Sequence, residues 1–267
     1  MDLIETFGAK IGALSEEKPQ RARQLLTAGF RANGVKNKLA SKRSSKSDRM
    51  LFQLVNRAMV TCLAKPQSNV MVSLFTPCEM LHLQGLHPYS CEGFSSYLSG
   101  AMAEQPFLHQ AEDTGIPNSL CSYHKVFIGA AQMGLMPKPR FILSTSLACD
   151  ANTLTFRHLA QFYDVPHFNV DIPFESSPQA VDYVAGQLRQ MGEFLTQQTG
   201  LPLDDGQLAR TVARSQRTMA LYHRGLRLRA GRQVLSDLTS ELLRTAAFHF
   251  LLGTPETEAY ARQLLRE

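Results

Sequence analysis

With 267 residues, 44% hydrophobic and 19% charged, the chain is long enough to bury its own core, which excludes a small scaffold that depends on disulfide staples. No run of about 18 apolar residues occurs, and the opening MDLIETFGAK is too polar for a secretory h-region, so the sequence predicts no membrane partner and a reducing, cytoplasmic setting. Much of the +5 net charge falls in residues 36–49 (KNKLASKRSSKSDR); without interleaved aromatics or a recognisable binding module, this run predicts a solvated loop or a docking surface for an anionic partner, and no nucleic-acid partner.

Residues 1–35 read as an amphipathic helical segment that Gly29 and Gly34 loosen near its end. Past the basic loop, residues 48–64 predict a helix capped by Asp48, with Cys62 on its apolar side as a core thiol. The character changes at 69–75 (NVMVSLF), a strand. Thr76-Pro77 is expected to end it and open a helix, Thr as the cap and Pro in the first helical position. A second strand follows at 86–89, then helical residues 94–115 with breaks near Gly100 and Pro106. A turn at 115–119 leads into a helix reaching Met133. Residues 140–145 (RFILST) predict a strand, 153–163 a helix and 167–170 a strand. Strands alternating with helices imply parallel pairing in an open α/β sheet.

After Pro178 the pattern is helical only, over 179–199, 204–228, 233–252 and 255–266, with Gly200, Gly231 and Gly253 at the ends. The apolar run 246–252 (AAFHFLL) is wider than one stripe and predicts a helix covered on more than one side, as by a further domain. The expected organisation is an N-terminal helical segment with a basic loop (1–65), a cysteine-bearing α/β domain (66–175) and a helical extension (176–267).

Four of the five cysteines stand at element junctions. Cys78 follows the first strand, Cys91 closes the second, Cys121 begins a helix and Cys149 follows RFILST. Ligands of an open α/β sheet bind beyond the carboxyl ends of its strands. The sequence therefore predicts four thiols converging on one crevice there, with helix N-termini favouring thiolates. The paired C-x-x-C of structural zinc and of redox dithiols is absent. Two readings remain: independent core thiols, or an iron–sulfur cluster held by dispersed thiolates.

Together, FTPCE (75–79), SGAMAEQPF (99–107), LCSYHKVFIGAA (120–131) and STSLACD (144–150) resemble the 2-hydroxyacyl-CoA dehydratase family, whose relatives include the benzoyl-CoA reductase catalytic subunits. The resemblance covers residues 65–175 well and the flanking helices more loosely. It implies a Rossmann-like fold, oxygen-sensitive anaerobic chemistry, a 4Fe-4S cluster, an acyl-CoA substrate, a second homologous subunit and a separate ATP-dependent iron–sulfur activator. In the dehydratases one low-potential electron reaches the thioester carbonyl, inverts the polarity at the carbon bearing the leaving hydroxyl, and is later recovered.

Residue by residue, the resemblance makes Cys121 a cluster ligand. It places Cys91 at a second ligand position, with the departure that Glu92 intervenes before Gly93. Cys78 stands where many members have another residue, and Cys149 matches a recurrent cysteine that need not be a ligand. The expected order is Cys121, Cys78, Cys91, Cys149. Glu79 is the acid of a Pro-x-Glu motif, and His124 and Lys125 are candidate donors to a substrate carbonyl or a cluster sulfide. The plainer alternatives are a carboxylate favoured by a helix dipole and a polar helix face. The family's second α/β domain is expected outside this sequence, on a further segment or a partner chain. The expected function is the iron–sulfur subunit of a radical 2-hydroxyacyl-CoA dehydratase-like lyase, or of an aromatic acyl-CoA reductase-like enzyme. The alternative is a non-catalytic iron–sulfur carrier or assembly protein.

Overall fold

The computed structural model describes residues 3–39, 45–147, 149–230 and 238–267. Four strands, β1 (Asn69–Val72), β2 (His87–Ser90), β3 (Phe141–Thr145) and β4 (His167–Val170), pair in the order β2-β1-β3-β4, every neighbour parallel. Parallel neighbours need crossovers, and helices supply them. These are α4 (Glu79–Leu83) between β1 and β2, then α5 (Cys91–Gly100), α6 (Gln105–Asp113) and α7 (Ser122–Gln132) before β3, and α8 (Asp150–Tyr163) before β4. The expected α/β fold with helical flanks is what forms.

Both faces of the sheet are covered, so every residue of β1 and β3 is buried rather than alternating with exposed ones. Val70, Val72, Phe141 and Leu143 turn to one core, with Cys78 and Leu81 around α4, Met191 and Leu195 of α9 (Pro178–Thr199), and Phe250 of α11 (Leu238–Phe250). Met71, Tyr89 and Ile142 turn to the other. There they meet α1 (Leu3–Glu17), α2 (Pro19–Leu39) and α3 (Lys46–Ala64), together with α5 to α8. A third cluster joins α3 to α11 and α12 (Pro255–Arg266) through Leu51, Val55, Phe248 and Tyr260. Tyr222 of α10 (Asp205–Arg229) lies on Phe248 with ring centroids 4.4 Å apart.

Several boundaries differ from expectation for local reasons. The first 35 residues form not one helix but α1 and part of α2, divided at Lys18 because Pro19 takes the first position of a new helix. Gly29 and Gly34 lie inside α2 and loosen nothing. A Cβ on Gly29 would meet the Phe7 ring at 2.7 Å, and one on Gly34 would meet Asn56 at 2.7 Å, so both serve close helix packing. The cap of α3 is Ser45, whose Oγ accepts from the Asp48 amide at 3.0 Å. Thr76-Pro77 opens no helix; Thr76 donates back to the Leu143 carbonyl, and α4 begins at Glu79. Lys42 and Arg43 of the basic run, and residues 233–237 of the expected third extension helix, lie outside the described residues. The apolar run 246–252 is covered within the chain itself: Phe250 enters the core under the sheet and Phe248 the third cluster.

Two substitutions test this packing. A Cβ at Gly129 would collide with the backbone carbonyl of Phe107, where α6 crosses α7. Gly129→Ala is expected to lower stability by about 2–4 kcal/mol. Gly186, in α9, has nothing near its missing Cβ, and Gly186→Ala is expected to raise stability by about 0.5–1 kcal/mol. Urea denaturation of both variants reads the two signs.

His82 gives a pH signature. Its Nε2 lies 2.9 Å from the Phe250 carbonyl, tying α4 to α11, and burial lowers its pKa to about 4. An unfolded histidine titrates near 6.5, so the unfolded chain takes up the proton first as pH falls. Stability is expected to be full above about pH 6.5 and to decline toward pH 4, by on the order of 2 kcal/mol from this ring, which keeps some solvent contact. His82→Gln should flatten part of the slope in urea melts across that range. His167, also lowered to about 4 by burial, should supply part of what remains.

Candidate functional site

The crossover from β1 runs to β2 on one side, and that from β3 runs to β4 on the other. Between β1 and β3 the outgoing loops therefore part, which is where open α/β sheets hold ligands. The seam is closed by side chains. The Thr145 amide donates to Ser73 Oγ at 3.1 Å, and the Ser73 amide to the Leu143 carbonyl at 3.2 Å. Ser146, just past β3, donates to Asp171 at 2.9 Å and accepts from the Ile172 amide at 2.7 Å. The loop after β3 is thus braced against the end of β4.

At this edge two helices begin with exposed cysteines. Cys121 is the N-cap residue of α7 and Cys149 that of α8, and neither thiol caps its own helix by a hydrogen bond. His124, in the first turn of α7, is buried against α8. Its Nδ1 lies 3.0 Å from Thr155 Oγ1 of α8, and its Nε2 lies 4.0 Å from Cys149 Sγ. Burial lowers the imidazole pKa, so the ring is neutral near pH 7.

The other two cysteines lie elsewhere. Cys78 is sealed in the core on the α4 and α9 face, its thiol donating to the Thr76 carbonyl at 3.2 Å. Cys91 is sealed in the opposite core, as is Cys62. Burial pushes all three thiols up, away from the thiolate form. The expected single crevice of four thiols is therefore corrected: the four divide between two cores and the surface. A junction position fixes where along a strand a cysteine stands, but not whether its side chain turns outward or beneath the sheet. Among the described residues no group of three or more His, Cys, Asp or Glu is placed to hold a metal ion.

Glu79 and Lys125 are each engaged by a partner outside this pair of thiols. Glu79 accepts from Ser215 Oγ of α10 at 2.8 Å and so ties α4 to the helical extension. Lys125 directs its buried ammonium to Glu112 at 2.6 Å and to the Asn118 carbonyl at 3.1 Å, fixing the loop that delivers Cys121. Glu92, Asn152 and Thr155 were not singled out from the sequence. Glu92 in the first turn after a buried strand was the one visible sign. Its carboxylate accepts from the Leu74 amide at 3.2 Å and from Ser90 Oγ at 2.8 Å, and its pKa is raised by burial against those bonds.

A family model described as 2-hydroxyglutaryl-CoA dehydratase, D-component, matches residues 73–267. The chain belongs to this family. The matched span begins at the end of β1 and takes in all four junction cysteines and the helical extension; α1 to α3 precede it. The (R)-phenyllactyl-CoA dehydratase alpha subunit of Clostridium sporogenes is 25% identical over 121 residues, covering 42% of this chain and 30% of that protein. The chain therefore matches less than a third of the length of this dehydratase subunit. Among the described residues no helix is long and apolar enough to cross a membrane.

The thiol environments predict a labelling pattern. In the native protein near neutral pH, iodoacetamide is expected to modify Cys121 and Cys149, while Cys62, Cys78 and Cys91 react only after denaturation. Peptide mapping by mass spectrometry separates the five sites. Rapid native labelling of Cys78 or Cys91 would contradict the burial described.

Proposed function

We propose that the chain is an iron–sulfur subunit of a 2-hydroxyacyl-CoA dehydratase-like lyase that works on a CoA thioester together with a second homologous subunit and an ATP-dependent activator. One observation carries the reading: in a dehydratase-family chain, two exposed thiols stand at the N-termini of α7 and α8, one of them 4.0 Å from the buried His124 ring. Two exposed thiols are what the described residues offer such a cluster, and no group of three or more ligands forms among them. Cys121 and Cys149 would hold a 4Fe-4S cluster, with the remaining ligands coming from outside the described residues. Cys78 and Cys91 enter this assignment only if their cores open. When bound, such a cluster supplies one-electron transfer at low potential.

The chain's own groups have separable tasks in this reading. Cys121 and Cys149 are open to solvent at the starts of α7 and α8, where a metal could reach them. His124, fixed by Thr155, presents a ring nitrogen beside Cys149 for a hydrogen bond to a cluster sulfide or a thioester carbonyl. Lys125 and Glu112 hold the Cys121 loop, and Glu79 holds α4 to α10, both at a remove from the substrate. Exposure of both thiols is equally what a non-catalytic iron–sulfur carrier needs, and that second reading parts from the first on whether a CoA thioester binds.

Anaerobic reconstitution with ferrous iron and sulfide tests the assignment. The full chain is expected to take up iron and acid-labile sulfide. Cys121→Ala and Cys149→Ala should lose most of both, whereas Cys62→Ala should keep them at a cost of on the order of 1–2 kcal/mol in stability. Equal retention in all variants, or no uptake by the wild-type chain above the two alanine variants, would overturn the cluster reading. Saturable binding of an acyl-CoA to the loaded protein would favour the enzyme, and its absence the carrier.

A further inference from the structure

We propose that Thr155 is a positioning residue that sets the proton on His124: its hydroxyl donates to Nδ1, the ring proton sits on Nε2, and the imidazole meets Cys149 as a hydrogen-bond donor and not as a base. An exposed cysteine beside a histidine otherwise suggests a nucleophile with its general base, a pairing that needs a bare ring nitrogen turned to the thiol. Here Nδ1 lies 3.0 Å from Thr155 Oγ1 and Nε2 lies 4.0 Å from Cys149 Sγ. Among the described residues the two nitrogens have no other hydrogen-bond partner. The ring packs on Phe127 with centroids 5.2 Å apart, and Phe127 packs on Phe156 at 5.9 Å. His124 and Thr155 are both buried. Which nitrogen carries the proton is therefore set by the direction of one bond.

The hydroxyl decides that direction. A serine or threonine inside a helix commonly donates to the carbonyl four residues back. Ser15, Thr27, Thr196, Thr199 and Thr218 all do so in this chain. Thr155, inside α8, does not: among the described residues the imidazole is its one side-chain partner. If Nδ1 carried the proton, Thr155 would accept it, and its own buried hydroxyl hydrogen would have nothing to bond. A doubly protonated ring would strand that hydrogen in the same way. If Thr155 donates, both groups are satisfied. The ring proton then lies on the side of Cys149, and the bare nitrogen is already occupied. His124 can give a hydrogen bond to the sulfur or to a group bound there, but has no free nitrogen to take a proton from either. That a cluster sulfide or a thioester carbonyl receives this bond rests on the proposed function; the tautomer rests on the contact between α7 and α8 alone.

Nitrogen NMR of the iron-free full chain, isotopically labelled at histidine, tests the assignment near neutral pH. The chain has eight histidines, so the His124 signals are identified by their loss in His124→Gln and by their shift in Cys149→Ser. In the wild-type chain Nε2 is expected to carry the proton and Nδ1 to be bare, by about tenfold or more over the other tautomer, as one hydrogen bond of ordinary net strength imposes. Thr155→Val keeps the branched shape and removes the hydroxyl. It should move the Nδ1 resonance to that of a bare nitrogen without a donor and raise the share of the Nδ1–H form by about threefold or more. Thr155→Ser, which keeps the hydroxyl, should restore both, and a role in packing alone would give no such rescue. A wild-type ring protonated on Nδ1 or on both nitrogens would overturn the proposal. So would a Thr155→Val chain with unchanged nitrogens, or a serine variant that resembles valine. Should Thr155→Val not fold, the wild-type tautomer and Thr155→Ser still decide it. Because no iron enters the measurement, a chain that binds none would sink the cluster reading and leave the tautomer standing, whereas an Nδ1–H ring would sink this inference and leave iron uptake untouched.

Discussion

Because β1 and β3 lie side by side while their crossovers leave in opposite directions, the loops that leave their carboxyl ends must part there. Neither crossover helix holds those loops together, and side chains pin them instead. Ser73, Thr145 and Ser146 supply those pins. The helices that begin there bring their partial positive ends to the same edge. The exposed cysteines, the buried histidine and the bridging glutamate are all consequences of where that parting falls in the sequence.

The same topology separates thiols by chemistry. Side chains that turn under the sheet enter an apolar environment where ionisation is disfavoured, and Cys62, Cys78 and Cys91 behave as small hydrophobes. Cys121 and Cys149 end loops and stand ahead of helices, so solvent reaches them. Five cysteines in one chain thus form two populations, of which the exposed one suits metal ligation or chemical modification. His124 lies against the exposed group and is locked by Thr155, a pairing between α7 and α8 that neither helix makes alone.

Much of the architecture was legible because its signals are periodic and local. Strands 167–170 and 255–266 as a helix follow from hydrophobic pattern and flanking Gly and Pro alone. The parallel pairing followed from the alternation of strands and helices, whereas the strand order β2-β1-β3-β4 did not. What escaped depends on which way a side chain turns. Cys78 and Cys149 both end a strand-to-helix loop, yet one is sealed and the other is open. Asp48 and Ser45 compete for the same cap, and only backbone geometry decides for Ser45. Glu79 and Lys125 looked like site residues because charged groups near a motif are conspicuous. Their partners, Ser215 and Glu112, are far enough along the chain that no local pattern reveals them. Glu92 was noticed only as an interruption between Cys91 and Gly93.

Helix α11 has a consequence for how the molecule comes apart. Phe248 and Phe250, two residues apart, lie in different cores, one against α3, α10 and α12 and the other against the underside of the sheet. Any fluctuation that lifts this helix uncovers apolar surface in both places at once. The helical extension therefore does not fray from the sheet as a tail would. The packing predicts that α11 shares a foldon with β1 and β3, the backbone amides of that interior opening to solvent exchange together with those of the helix.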